Sequence, residues 1–243
     1  MLHEQTKNRL YEMKLNGMAD AYAEQAGQPK MLELSFEDRF AMLVERQWHW
    51  KETRALQSRL AYAHLKEQAC TEDIDYMDGR GLKRAVIDQL ARCEWLTHHQ
   101  HVIVTGPTGT GKTYLACALA QKACRLGYRS VYFCGSKLFR ELELAQADGS
   151  LPGLLKKIER AQLLVVDDWG MAKLDDRRCR DFLEILDDRH GSGSVLITSQ
   201  FPVSKWHETI PDPTVADAIL DRLIHNSHKI ELKGDSMRKR RAH

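Results

Sequence analysis

Residues 106–113 read Gly-Pro-Thr-Gly-Thr-Gly-Lys-Thr, a G-x-x-x-x-G-K-[ST] pattern. Gly106, Gly109 and Gly111 let the backbone curl so that its N–H groups aim inward at phosphate oxygens, with Pro107, Thr108 and Thr110 completing the turn. Lys112 places a point charge where β- and γ-phosphates would lie, and the Thr113 hydroxyl can bind Mg²⁺. A helix starting at Lys112 turns its positive dipole end on the same anion. The bland alternative is a glycine-rich turn; the strand ending at Thr105 and the helix that follows favour the phosphate cradle.

A second chemical group closes an apolar run, Leu163-Leu164-Val165-Val166-Asp167-Asp168. Asp167 can hold the Mg²⁺ shell, and Asp168 beside it can polarise an attacking water. Two acids after an apolar strand are commonplace alone; beyond a cradle lysine, in an alternating pattern, they gain this meaning. Asp167-Asp168-Trp169-Gly170 also satisfies D-x-x-G, but the Asn-Lys-x-Asp guanine reader that should accompany it is absent. A small-molecule kinase would need an arginine-rich acceptor segment. Arg177, Arg178 and Arg180 are candidates, and the plainer expectation is that they coat an exposed helix.

These groups need a scaffold, and the texture of the chain supplies one. From His101, β-rich apolar runs at 101–105, 130–134, 162–167, 194–198 and 228–232 alternate with helical stretches near 112–126, 136–146, 177–190 and 214–225. The alternation predicts an α/β fold, a parallel sheet covered by helices on both faces. Residues 1–75 hold no convincing strand and read as a small all-helical N-terminal domain. Within it Ser35-Phe36-Glu37-Asp38 is a capped start for a helix running to about Gln68. The second domain is 76–243, opening with a junction at 76–100.

Bulk properties set the frame. The chain has 243 residues, 43% hydrophobic and 29% charged, with 36 basic and 34 acidic residues for a formal charge of +2. No global field draws in nucleic acid, so any such patch is local. Six cysteines lack a C-x-x-C pair, which argues against zinc and disulfides. His98, His99 and His101 have no carboxylate or Cys partner and read as surface histidines. No apolar run spans a bilayer, and the N-terminus lacks a signal-peptide core. A cytoplasmic protein with no membrane partner is expected.

Taken together, the chain resembles the P-loop AAA+ ATPases of the initiator and helicase-loader branch. The carrying residues are Gly106–Thr113, Asp167-Asp168, the strand Val195-Leu196-Ile197 leading to Thr198-Ser199-Gln200, and Asp221-Arg222-Leu223. More closely it resembles the IstB-type transposition helpers of insertion sequences. Val166-Asp167-Asp168-Trp169-Gly170, the closing Gly234-Asp235-Ser236-Met237-Arg238-Lys239-Arg240, and Glu45-Arg46, Trp50, Arg54 and Arg59-Leu60 support that.

The resemblance implies a sheet order of 5-1-4-3-2, ATP and Mg²⁺ as cofactors, and active sites completed between subunits of a head-to-tail homo-oligomer, ring or helix. Gln200, with Thr198 nearby, would read the γ-phosphate. Arg222 would enter the neighbouring site as an arginine finger, its bland alternative being a salt bridge to Asp217 or Asp221. Arg238 would stand near the phosphates. Two departures follow: Asp168 replaces the usual Glu, and the eleven residues after Leu232 leave no full C-terminal lid. The implied activity is ATP hydrolysis governing assembly on duplex target DNA, bending it, and recruiting a partner transposase. A DnaC-type helicase loader and a small-molecule kinase are the rivals.

DNA binding has its own signal. Residues 46–66 carry five Lys/Arg and one acid, and Arg46, Trp50 and Arg54 fall four apart on one helical face, with Lys51 and Arg59 nearby. A cationic face bearing an aromatic can track phosphates, although charges outside and Leu56 and Leu60 inside also describe any helical bundle. The tail Arg238–Arg241 is a second basic cluster. Trp48, Trp95, Trp169 and Trp206 are expected to be packing residues.

Overall fold

All strands but the last form where the sequence offers apolar runs, because a parallel sheet is covered on both faces and needs no polar alternation. The computed structural model describes residues 2–76, 79–171 and 174–237. Its five strands are β1 (His101–Thr105), β2 (Ser130–Cys134), β3 (Leu163–Trp169), β4 (Ser194–Ser199) and β5 (Ser227–Glu231). They form one parallel sheet in the order β2-β3-β4-β1-β5, the order the resemblance implied. In register, Val102 faces Leu196, and Val131 faces Leu164.

The helices are α1 (Leu2–Glu12), α2 (Asn16–Ala26), α3 (Phe36–Ala63), α4 (Arg84–Ala91), α5 (Glu94–Thr97), α6 (Lys112–Arg125), α7 (Gly135–Asp148), α8 (Leu151–Glu159), α9 (Asp176–Asp188), α10 (Trp206–Thr209) and α11 (Pro213–Ile224). Successive strand residues face opposite sides, so the sheet divides the core in two. Val102, Val104 and Val165 pack on one face with Leu115 and Leu119 of α6 and Ile87 and Leu90 of α4. Ile103, Val166 and Ile197 pack on the other with Leu138 of α7, Phe182 of α9 and Ile219 of α11. Each such fully buried aliphatic side chain contributes roughly 1.5–3 kcal/mol.

Chain contacts separate two units, Met1–Ser58 and Arg59–His243, a division inside α3, whereas the composition shift lies near residue 75. In the first unit, Ser35 Oγ accepts the Asp38 N–H at 3.1 Å, the cap that starts α3. Gly17 lets α2 approach α3 closely: a Cβ there would lie 2.6 Å from Trp50 Cβ. Gln47, also on α3, accepts the Met18 N–H at 3.1 Å. Trp48 departs from its expected packing role and is 59% exposed, whereas Trp95, Trp169 and Trp206 are buried. Among the described residues no helix is long and apolar enough to cross a membrane.

Candidate functional site

The loop between β1 and α6 wraps as its glycines allow. Gly106 has φ 149° and lies so close to the segment after β5 that a Cβ would fall 2.3 Å from the Leu232 carbonyl. Gly111 takes φ 92° and caps α6, leaving the first amides of a 14-residue helix pointed out of its N-terminus. Lys112 is buried and folds back, its Nζ donating to the carbonyls of Gly106 at 2.7 Å and Pro107 at 2.8 Å. Thr110 Oγ1 donates to the Pro107 carbonyl at 2.9 Å. Thr108 Oγ1 donates to Gln200 Oε1 at 2.5 Å, which ties the loop to the end of β4.

Under this loop stands the acid pair. Asp167 is wholly buried at the end of β3. Its carboxylate accepts hydroxyls from Thr113 at 3.0 Å, Tyr132 at 2.6 Å and Thr198 at 2.6 Å. Burial, with this carboxylate beside it, pushes the Tyr132 phenol up, so the phenol stays a proton donor. The β3–β4 register then shifts between Val166 and Trp169, and Asp168 takes φ 59°. A non-glycine residue held there costs on the order of 1–3 kcal/mol, and such bulges re-aim side chains beside active sites. Here the bulge turns Asp168 into a cavity that Asp167 does not line.

That cavity has a volume of about 570 Å³. Thr108, Gly109, Gly111, Lys112, Thr113, Asp168 and Gln200 line it, so the structure brings most of the sequence-predicted groups to one place. It parts Thr198 from Gln200. Thr198 is fully buried behind the acids, where it positions Asp167, while Gln200 reaches the cavity. The oxygen donors Thr113 and Asp167, 3.0 Å apart, fit a hard cation such as Mg²⁺.

Sequence reasoning missed several supports. Arg80 donates from Nη2 to the Thr110 carbonyl at 2.9 Å and also bonds the Asp75 carbonyl. Met237 N–H donates to the Gly109 carbonyl at 2.8 Å, so the segment after β5 crosses the cradle. Lys66 places Nζ 3.5 Å from Asp167 Oδ2 and 3.9 Å from Asp168 Oδ2. A tyrosine inside a β-run and a lysine in a basic stretch carry no local sign of such partners.

Arg222 and Arg59 do not line the cavity. Arg222 on α11 pairs through Nε with Asp187 of α9, neither of the acids expected, and its Nη1 donates to the Ala218 carbonyl at 3.0 Å. Arg46, Lys51 and Arg54 are exposed on α3 and Trp50 is half-buried. Arg46 meets Glu24 at 2.8 Å, and the Arg54 guanidinium stacks 5.2 Å from the Trp50 ring centre. Arg59 instead donates from Nε to the Cys124 carbonyl at 2.8 Å, supporting the last turn of α6. Arg238 and the basic tail to Arg241 lie outside the described residues. His101 is not the surface histidine expected: its Nδ1 accepts the Val195 N–H at 3.1 Å where β1 and β4 begin.

The sequence pattern of the family described as IstB-like ATP binding protein matches residues 8–243. The chain is 45% identical over 239 residues to the insertion sequence ATP-binding protein y4pL of Sinorhizobium fredii, covering 98% of each. It is 31% identical over 231 residues to the insertion sequence IS21 ATP-binding protein of Pseudomonas aeruginosa, covering 95% of this chain and 86% of that one. Among solved structures, DnaI superposes with a TM-score of 0.59 at 24% identity, over 68% of this chain and 92% of DnaI, which shows the AAA+ fold. With a family match over nearly its whole length and a relative 45% identical across it, the chain belongs to the IstB-like ATP-binding protein family.

Proposed function

We propose that this protein is an ATP-dependent DNA-binding helper of transposition. It binds and hydrolyses ATP with Mg²⁺, assembles head to tail on duplex DNA, bends that DNA, and recruits or stimulates a partner transposase in the cytoplasm. The observation that carries the reading is the Thr113–Asp167 pair, 3.0 Å apart beneath the Lys112 cradle. It occurs in a chain whose full-length relatives are named as ATP-binding proteins of insertion sequences.

Each group has a task in this reading. Lys112 exchanges the carbonyls of Gly106 and Pro107 for phosphate oxygens, while the amides at the start of α6 hold the same anion. Thr113 and Asp167 would hold the Mg²⁺, which would supply positive charge to offset that of the phosphates. Asp168, aimed into the cavity, accepts a hydrogen bond from the attacking water and orients it, and Gln200 contacts the terminal phosphate. Arg222 works on the neighbouring subunit's triphosphate, since it does not line its own chain's cavity. Such a heterologous contact repeats into a ring or helix, and the exposed Arg46, Lys51 and Arg54 would then recur along duplex DNA.

The test is electron microscopy of the full chain with duplex DNA and a non-hydrolysable ATP analogue. Regular multi-subunit assemblies on DNA are expected with nucleotide and not without it, and Lys112→Ala should abolish them. A monomer under every condition, or wild-type assembly by the Lys112 variant, would overturn the reading.

A further inference from the structure

Lys66 carries a charge that the nucleotide reading does not use. Its Nζ stands 3.5 Å from Asp167 Oδ2 and 3.9 Å from Asp168 Oδ2, so one ammonium serves two adjacent carboxylates. Three hydroxyls already bond the Asp167 carboxylate, but hydroxyls leave its formal charge uncompensated, and a wholly buried carboxylate needs a cation.

The backbone of this lysine is fixed while its charged end is not. Leu65 packs against the core, and Ala69 is buried in it. Burial pushes the neighbouring Cys117 thiol up to about 11, and backbone hydrogen bonds from Glu67 and Lys66 act on the same thiol in the opposite sense. The Lys66 side chain is 44% exposed, so its ammonium can pass to solvent without disturbing the packing.

We propose that Lys66 is the resident counter-ion of the Asp167–Asp168 pair in the nucleotide-free protein, displaced when a nucleotide arrives with a divalent cation. The inference rests on the nucleotide-site reading above. An ammonium 3.5 Å from Asp167 Oδ2 and a divalent cation on the same buried carboxylate would be like charges a few ångströms apart. The ammonium has the flexible stem and the open path, so it yields. Nucleotide alone brings no competing cation and leaves Lys66 where it stands. Lys66 thereby distinguishes a metal-loaded site from one holding nucleotide only.

Two measurements on the full chain test this, both with a fluorescent non-hydrolysable ATP analogue. In the wild type, acetylation of lysines by an N-hydroxysuccinimide ester is read at Lys66 by mass spectrometry. Reactivity should rise several-fold with analogue plus Mg²⁺ and stay at the nucleotide-free level with analogue plus EDTA. Unchanged or greater protection with Mg²⁺ would overturn the proposal, protection being the mark of an ammonium that moves onto phosphate. Lys66→Met keeps the stem and removes the charge. The Mg²⁺ concentration for half-maximal analogue binding should fall about fivefold, the scale of a half-exposed ion pair, with binding in EDTA unchanged. An unaltered or higher Mg²⁺ midpoint would also overturn it. Should the variant fail to fold, the labelling of the wild type still decides. Failure of the wild type to bind the analogue at all would count against the nucleotide site itself.

Discussion

Thr198 donates its hydroxyl to Asp167 at 2.6 Å and accepts the Asp168 backbone N–H at 3.0 Å, so the end of β4 fixes both acids at the end of β3. Thr198→Val keeps the shape and removes both bonds, one of them to a wholly buried carboxylate. The loss should be about 2–3 kcal/mol. Melting of the nucleotide-free protein should fall by roughly 4–12 °C, and Thr198→Ser should restore most of it. A valine variant melting with the wild type would instead place the hydroxyl's work on the nucleotide.

The strands were legible because runs such as Val102-Ile103-Val104 are apolar on both faces, and the cradle because its chemistry is packed into eight consecutive residues. What was not legible depends on distant partners. Tyr132 reads as one more core aromatic until Asp167 comes to 2.6 Å, and Lys66 reads as part of a basic helix face until the acids meet it. Thr198 and Gln200 share a strand end, and only the fold shows one buried and the other at the cavity. Helix α8 was hidden by its opening Leu151-Pro152-Gly153, which resembles a chain break, although proline in a first turn forfeits no hydrogen bond.

Gly109 separates the cradle from the segment that follows β5. It takes φ 84°, and a Cβ there would lie 2.2 Å from Ser236 Oγ and 3.1 Å from Ser236 Cα. Gly109→Ala must therefore displace either the loop or that segment, and analogue binding should weaken at least tenfold. Gly127→Ala is the control: its φ is 97° but nothing lies within 4 Å. It should cost only the backbone strain, roughly 1–2 kcal/mol, and leave nucleotide affinity intact. Equal affinity in both variants would remove the steric argument.

His101 makes stability depend on pH. Burial first, then the charges of Arg189 and His190, lower its folded pKa from 6.5 to about 4. The unfolded chain therefore binds a proton that the folded chain refuses between these values. This contribution is complete above about pH 6.5 and is lost as pH falls toward 4. In urea melts from pH 7.5 to 4.5, His101→Asn should be less stable at neutral pH yet lose less stability on acidification. Parallel wild-type and variant profiles would mean that His101 does not titrate in this window.

Arg222 decides whether the site is shared. In the single chain its guanidinium is held by Asp187 and the Ala218 carbonyl and does not line the cavity. Arg222→Ala should leave analogue affinity of the dilute monomer unchanged. DNA-stimulated ATP turnover should fall by about 10³-fold, the scale of a missing arginine finger. Lys112→Ala should be inactive for the opposite reason, having an intact arginine and no cradle charge. Mixed, the two create junctions in which an intact cradle from the Arg222 variant meets an intact Arg222 from the Lys112 variant. Turnover should reappear as a fraction of the wild-type rate, rising with protein concentration. If every mixing ratio stays as inactive as the separate variants, Arg222 does not act between subunits, and its pairing with Asp187 is then its whole role.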